Sequence, residues 1–235
     1  MCIQTGMSDL IVAGGADSMS QAEYYYQGAR WGLRGRDTGM VCRIGRGRVT
    51  AGGKHHPVPG GMLETAENLR REFSTSREAQ DDFAAWSHCK AVKAQNDGLF
   101  DDEIVPVTVK NRKGDILFDR DAHPRPDTTS ASLAKLRPIM VGSDPDATVT
   151  AGNASGQNDA ASACIVTSQE KADMLGLKPL GRLASWAVAG VEPGRMGIGQ
   201  VPATERAMSR AGLELKDLDL IGLNEACAAG RLPRL

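Results

Sequence analysis

Thr148-Val-Thr-Ala-Gly-Asn-Ala-Ser-Gly156, followed by Asn158-Asp159 and the small-residue run Ala160–Thr167, is the stretch on which the reading of this 235-residue chain turns. It is glycine-bearing and crowded with hydroxyl and amide side chains. Small residues leave the backbone N–H groups accessible, so a ligand can lie against the chain while Ser155 offers a hydroxyl. A tight turn between two elements has the same composition, and the residues alone leave both readings open. The run Ala160–Thr167 reads as a buried strand or a helix, and periodicity does not separate the two.

Working outward toward the N-terminus, Asp9-Leu-Ile-Val-Ala13 is a short apolar run closed by Gly14-Gly15. It predicts a buried strand of a parallel sheet. Residues 20–62 hold no sustained period; Tyr24-Tyr25-Tyr26, Trp31, several arginines and glycine pairs predict a loop-rich region. Within it, Arg46, Arg48 and Lys54 lack P-loop spacing. They leave a solvated basic loop or a basic rim for an anionic ligand. A helix is predicted over Thr65–Glu72. A second starts near Thr75, with Thr75 and Glu78 as a capping box, Phe83, Trp86 and Val92 as its apolar stripe, and Asn96-Asp97-Gly98 as its stop. His88 and Cys89 are neighbours on that helix, about 100° apart around its axis, which is poor geometry for a catalytic Cys–His pair. Val105–Val109 and Ile116–Phe118 flank Asn111-Arg-Lys-Gly-Asp115 as a β-hairpin; a Pro-rich stretch, Ala122–Thr129, and a short helix around Ser130–Leu136 follow.

Toward the C-terminus the pattern predicts a helix over Gln169–Leu175 stopped by Gly176, and a strand over Leu180–Val188. A helix over Ala203–Ala211 closed by Gly212 and a strand over Leu218–Leu223 come next. That order predicts a βαβ arrangement in an α/β chain. The composition agrees: 41% hydrophobic and 4% aromatic residues with 27 glycines suit close helix-on-sheet packing. With 28 basic against 29 acidic residues, charge makes no case for nucleic acid or an anionic membrane as partner. No apolar run approaches the roughly 20 residues of a membrane span. The first residues show no signal-peptide pattern, so a cytoplasmic location is expected. The five cysteines are odd in number and scattered, fitting neither a disulfide framework nor a zinc pattern.

Two further groups of residues suit chemistry. Asn224-Glu225 ends an apolar run, where ligand sites of α/β sheets cluster. An Asn amide there holds a water or donates to an oxyanion, and the Glu serves as a base or ties a loop; a helix cap is the plain alternative. Arg125 with Ser132 suits phosphate or carboxylate, against an ordinary surface arginine. No GxSxG elbow and no HExxH motif is present.

The whole chain resembles the thiolase family of acetyl-CoA acetyltransferases. The resemblance runs in order through Val12-Ala-Gly-Gly15 with Asp17-Ser-Met-Ser20, Thr65-Ala-Glu-Asn68, Ser76-Arg-Glu with Gln80-Asp, and Gly98-Leu-Phe with Glu103–Val107. It continues through Leu133–Pro138, Thr148–Gly156 with Asn158-Asp159, Met196-Gly-Ile-Gly199 and Asn224-Glu-Ala226. It implies an α/β, thiolase-like layered αβαβα fold, incomplete here, with an inserted loop domain. On that pattern residues 1–19 and 157–177 belong to the N-terminal domain, 20–156 form the inserted loop domain with the CoA contacts, and 178–235 open the C-terminal domain.

The implied function is acyl transfer between CoA thioesters, by Claisen condensation of acetyl-CoA or thiolysis of a 3-ketoacyl-CoA. The implied setting is fatty acid metabolism in a homodimer or homotetramer, with no cofactor beyond the CoA substrates. By the same resemblance Asn224 fixes an oxyanion-hole water, and Met62, Arg125, Ser132, Ala151, Gly152 and Ser155 contact substrate or CoA. The family's nucleophilic cysteine, its catalytic histidine and its second cysteine lie in blocks that this chain does not contain. Cys227, where an aromatic residue is usual, is expected to be a substitution or the start of a shifted frame. The expectation is therefore a chain truncated at both ends and inactive by itself. The alternative is an inactive CoA-binding or dimerising relic of the same fold. A carrier-protein synthase on this fold is disfavoured by the Thr65–Asn68 and Asn224–Ala226 blocks.

Overall fold

The computed structural model describes residues 1–35, 37–49, 53–55, 61–224 and 226–230, with the backbone alone for 48, 49 and 230. Arg48, as a side chain, and His56 and Glu225 fall outside the described residues. In chain order the elements are β1 (Leu10–Asp17), β2 (Tyr24–Tyr25), β3 (Val41–Cys42), α1 (Arg43–Val49), α2 (Met62–Phe73) and α3 (Arg77–Asn96). They continue with β4 (Val107–Val109), β5 (Ile116–Phe118), α4 (Ser130–Leu133), β6 (Ala160–Thr167), α5 (Gln169–Met174) and α6 (Gln200–Ala211). The chain divides into two compact units.

The first unit takes residues 1–50, 157–190 and 199–221. Its main pairing is β1 with β6, antiparallel, from Leu10 opposite Thr167 to Asp17 opposite Ala160. Gly14 is required there, because a Cβ at that position would lie 2.4 Å from the Ser162 carbonyl oxygen. The pair is closed at one end by the Ser20 N–H donating to the Asp159 carboxylate at 2.8 Å. At the other, Lys171 forms an ion pair with Asp9 at 2.9 Å. Ser168 caps α5 by accepting the Lys171 N–H. Gly212, at φ +69°, ends α6 as the sequence predicts.

Three expectations are corrected in this unit. β1 is neither buried nor part of a parallel sheet: its partner is antiparallel and most of its side chains are exposed. Leu180–Val188 and Leu218–Leu223 are not strands. The first segment runs alongside α6 instead, its Val188 and Trp186 carbonyls accepting from Arg206 at 3.0 Å and Arg210 at 2.8 Å. With these carbonyls bonded to arginines, no ladder forms there. Accordingly no parallel βαβ crossover forms among the described residues; the sheets are antiparallel pairs, β1–β6, β2–β3 and β4–β5.

The second unit takes residues 51–156, 191–198 and 222–235. α2 and α3 bury Leu69, Ala66 and Ala84 with Leu133, Val149 and Ala229. Alongside this small apolar core lies a buried polar one: Glu67, Gln80, Asp81, Thr150 and Asn153. α3 is capped by Ser76, whose hydroxyl accepts the Ala79 N–H at 3.1 Å, and not by Thr75. Its buried face is Gln80, Asp81 and Ala84, whereas Trp86 of the predicted stripe lies exposed with the Lys90 ammonium 3.8 Å from its ring centre. Polar groups win the inward face because they bond polar side chains of the segment 147–153: Gln80 the Thr148 hydroxyl and Asp81 the Asn153 amide. The hairpin β4–β5 forms as predicted, Val107 opposite Phe118.

Candidate functional site

The segment Thr148–Gly156 has no regular structure, and side chains fix its path. The Glu67 carboxylate accepts the N–H groups of Thr148 and Val149, each at 2.8 Å, and the Gln80 amide reaches the Thr148 hydroxyl at 2.9 Å. Asn153 accepts the Thr150 N–H at 2.7 Å and donates to Asp81 at 3.0 Å. Arg77 holds the other oxygen of Asp81 at 2.7 Å. These bonds join the sequence blocks at 65–68, 80–81 and 148–153 into one cluster. The block at 196–199 joins it through Gly197, where a Cβ would lie 2.7 Å from Leu69.

The same segment pairs with the chain's last described residues. Ser155 donates its N–H to Ala226 O at 2.8 Å, and Ala228 donates to Asn153 O at 2.9 Å. Ala154 bridges Cys227. Beside this ladder lies a cavity of about 200 Å³, walled by Gly152 and Ser155 on one side, Phe83, Ser87 and His88 of α3 on another, and His123 with Pro124 on a third. The imidazoles of His88 and His123 stack with ring centres 5.7 Å apart. The Arg125 N–H donates to His88 Nδ1 at 3.2 Å. Burial, then His123 and Arg125, hold the His88 pKa below its ordinary value. Burial pushes the Cys227 thiol up, with the Glu67 charge adding to it. A protonated thiol is a poor nucleophile.

Of the residues expected at the site, Gly152 and Ser155 line this cavity and Arg125 borders it through its backbone. Gly152 has no room for a side chain, since a Cβ would lie 2.4 Å from Leu133 and 2.6 Å from Leu136. The Ser132 hydroxyl is engaged in the cap of α4, accepting the Thr129 N–H at 3.0 Å and donating to the Thr129 carbonyl at 2.8 Å. Ala151 is exposed. Met62 opens α2 and is not among the residues lining the cavity. Asn224 is exposed, two residues ahead of the ladder with Ser155. Sequence reading missed His88 and His123. The signal for His88 was present: it lies seven residues after buried Asp81 and four after buried Ala84, on the same helical face.

A broader concavity of about 460 Å³ includes Arg70, Arg71 and Thr148. Its arginines are already paired, with Glu67 at 3.0 Å and with Asp144 at 2.6 Å, so it holds no spare positive charge. Among the described residues no group of three or more His, Cys, Asp or Glu is placed to hold a metal, and no helix is long and apolar enough to cross a membrane.

A mixed helix–strand chain with a polar-braced glycine–serine segment beside a small cavity defines an α/β protein whose candidate site lies along that segment. Residues 1–170 match the family model for the thiolase N-terminal domain, and residues 177–234 that for the thiolase C-terminal domain. The chain belongs to the thiolase family. It is 48% identical over 228 residues to the beta-ketothiolase BktB of Cupriavidus necator, covering 97% of this chain and 56% of that protein. It is 48% identical over 232 residues to an acetyl-CoA acetyltransferase of Pseudomonas aeruginosa, covering 98% and 57%.

Among solved structures, the Bacillus anthracis acetyl-CoA acetyltransferase superposes with a TM-score of 0.90 at 41% identity, covering 99% of this chain and 57% of that one. Human mitochondrial 3-ketoacyl-CoA thiolase gives 0.89 at 38% identity, covering 98% and 57%. The fold is therefore the thiolase-like α/β fold. The chain spans a little over half the length of the relatives it matches.

Proposed function

We propose that this chain carries the coenzyme-gripping part of an acyltransferase that moves acyl groups between CoA thioesters, by Claisen condensation of acetyl-CoA or thiolysis of a 3-ketoacyl-CoA. The observation that carries this reading is the segment 148–156: buried side chains hold it so that Gly152 and Ser155 face a cavity while no side chain fills it. The pantetheine arm of CoA is a narrow amide-bearing chain, suited to lie on such a wall. Arg125 takes a CoA phosphate, Ala151 and Ser132 border the arm, Met62 faces the acyl group, and Asn224 holds the oxyanion water. Residues 1–19 with 157–177, 20–156 and 178–235 are the N-terminal, inserted and C-terminal parts. The complete enzyme works in the cytoplasm, in fatty acid metabolism, as a homodimer or homotetramer with no cofactor beyond its CoA substrates.

A second reading, a CoA-binding or dimerising chain without turnover, is favoured by one observation. Burial pushes the thiol tied to the cavity segment, Cys227, up and so away from the thiolate that a nucleophile needs. Calorimetric titration of residues 1–235 with CoA at pH 7.5 tests the shared premise. Binding with a Kd of about 1 mM or tighter is expected, weakened roughly tenfold or more in Ser155→Phe, whose exposed position leaves folding intact. No binding would overturn the site. Thiolysis of acetoacetyl-CoA is expected to stay at background with this chain; turnover would show that its own cysteines carry the acyl group.

A further inference from the structure

We propose that His88 is a positioning residue for the loop that carries Arg125. Its unprotonated Nδ1 accepts the Arg125 backbone N–H and holds residues 122–128 against the cavity, and a proton on that nitrogen releases them. The proposal rests on reading the cavity as the CoA site.

The loop has no helix or strand of its own over these residues. Two contacts join it to His88 of α3: the 3.2 Å bond from the Arg125 N–H to His88 Nδ1, and the stacking of His123 on the His88 ring, 28° from parallel; just ahead of the loop, Gln95 of α3 donates to the Asp121 carbonyl at 2.9 Å. The hydrogen bond depends on the charge of the His88 imidazole, and the stacking on the charges of both rings. A ring nitrogen accepts a hydrogen bond only while its lone pair is free, so the bonded state has Nδ1 bare and the proton on Nε2. A stacked imidazole pair is compatible with one neutral ring and is repelled when both are charged.

The groups facing His88 decide what acidification does. From the loop they are His123, Arg125 and Asp127. From Asn153–Ser155 and Ala228, which share the cavity wall, none titrates, and neither do Phe83, Ala84, Ser87 and Ala91 on α3 itself. Arg125 brings a guanidinium cation. A proton on His88 therefore removes the acceptor and adds charge beside a fixed cation, with Asp127 alone opposing it. Burial first, then His123 and Arg125, hold His88 below its ordinary value of 6.5 against the opposing pull of Asp127, so at neutral pH the loop is fastened. The sign follows: the fastened state binds fewer protons than the released one. It is complete above 6.5 and lost as pH falls through the depressed value.

Two measurements test this on the full chain. The first is hydrogen exchange of the Arg125 amide without ligand. Its protection, corrected for intrinsic exchange, is expected to fall between pH 7 and pH 5 in the unmodified chain. It should persist in His88→Asn, whose amide oxygen replaces Nδ1 without titrating, and be absent throughout in His88→Ala. Equal protection in the unmodified chain and His88→Ala would overturn the proposal. The second is CoA affinity between pH 7.5 and pH 5.5. CoA's own phosphate monoester titrates near about pH 6, so the readout is the difference from His88→Asn. The unmodified chain should lose about two- to tenfold more affinity than that variant, the worth of one hydrogen bond. Identical pH profiles would overturn the role of His88 while leaving the CoA site standing. Absence of CoA binding at pH 7.5, with amide protection behaving as stated, would remove the CoA reading and leave the fastening.

Discussion

Glu67 is fully buried, and four groups converge on it: two backbone N–H donors, the Thr148 hydroxyl at 3.4 Å and the Arg70 guanidinium at 3.0 Å. A carboxylate is the one side chain that accepts from all of them at once. Glu67→Ala strands the two amides and the arginine and should cost about 3–5 kcal/mol, as removal of one partner of a buried charged pair does. Glu67→Gln keeps an acceptor and loses the charge; about 1–3 kcal/mol is expected. Urea unfolding measures both, and a loss below about 1 kcal/mol for the alanine variant would show that Glu67 does not hold the segment. Gly152 makes a steric demand instead. Gly152→Ala places a methyl against Leu133 and Leu136, whose flexible ends must shift, at an overpacking cost of about 1–3 kcal/mol. If the variant melts like the parent, the segment is not packed as tightly as the structure has it.

At the scale of elements, the turn after β1 is fastened to the entry of β6 by Asp159, which accepts the backbone N–H and the hydroxyl of Ser20. The Ser20 hydroxyl first, then the N–H, hold the Asp159 carboxyl below its ordinary 3.8. The fastening is therefore present above pH 3.8 and lost as pH falls through the lowered value. NMR titration of the Asp159 carboxyl should give a value under 3.8, returning toward it in Ser20→Ala; an unchanged value in that variant would discard the contact. The sequence displayed most of these elements. Helix ends were legible because their signals are local, as at Gly98 and Gly212, both in left-handed conformation. The apolar runs over 180–188 and 218–223 predict strands that do not form, since an apolar run does not encode its partner. The inward face of α3 was misread because its buried residues are polar, and their reason, the segment 147–153, lies far away in sequence. For the site, Gly152 and Ser155 were legible from composition. The place of His88 on the buried face of α3, four residues after Ala84, was legible, but its role was not, because its bonded partner lies 37 residues away.

Across the whole molecule, burial is unevenly shared. Every buried residue among the described ones belongs to the second unit except Ala172 of α5. The first unit leaves Val12 70% and Ile165 55% exposed on its central strand pair, and Leu183 exposed beyond it. Local opening free energy follows buried apolar contact, so the first unit should open far more readily than the second. Exposed strand edges and apolar faces also favour association between chains. Hydrogen exchange read by mass spectrometry separates the two effects when run at several protein concentrations. At the lowest, the amides of β1 and β6 are expected to exchange well before those of α2 and α3. As concentration rises, β1 and β6 should gain protection while α2 and α3 do not change, and the average mass in light scattering should rise with them. Equal protection of all four elements at low concentration would mean that the first unit is stabilised by something other than burial. Protection of β1 and β6 that ignores concentration would exclude their faces as the associating surface.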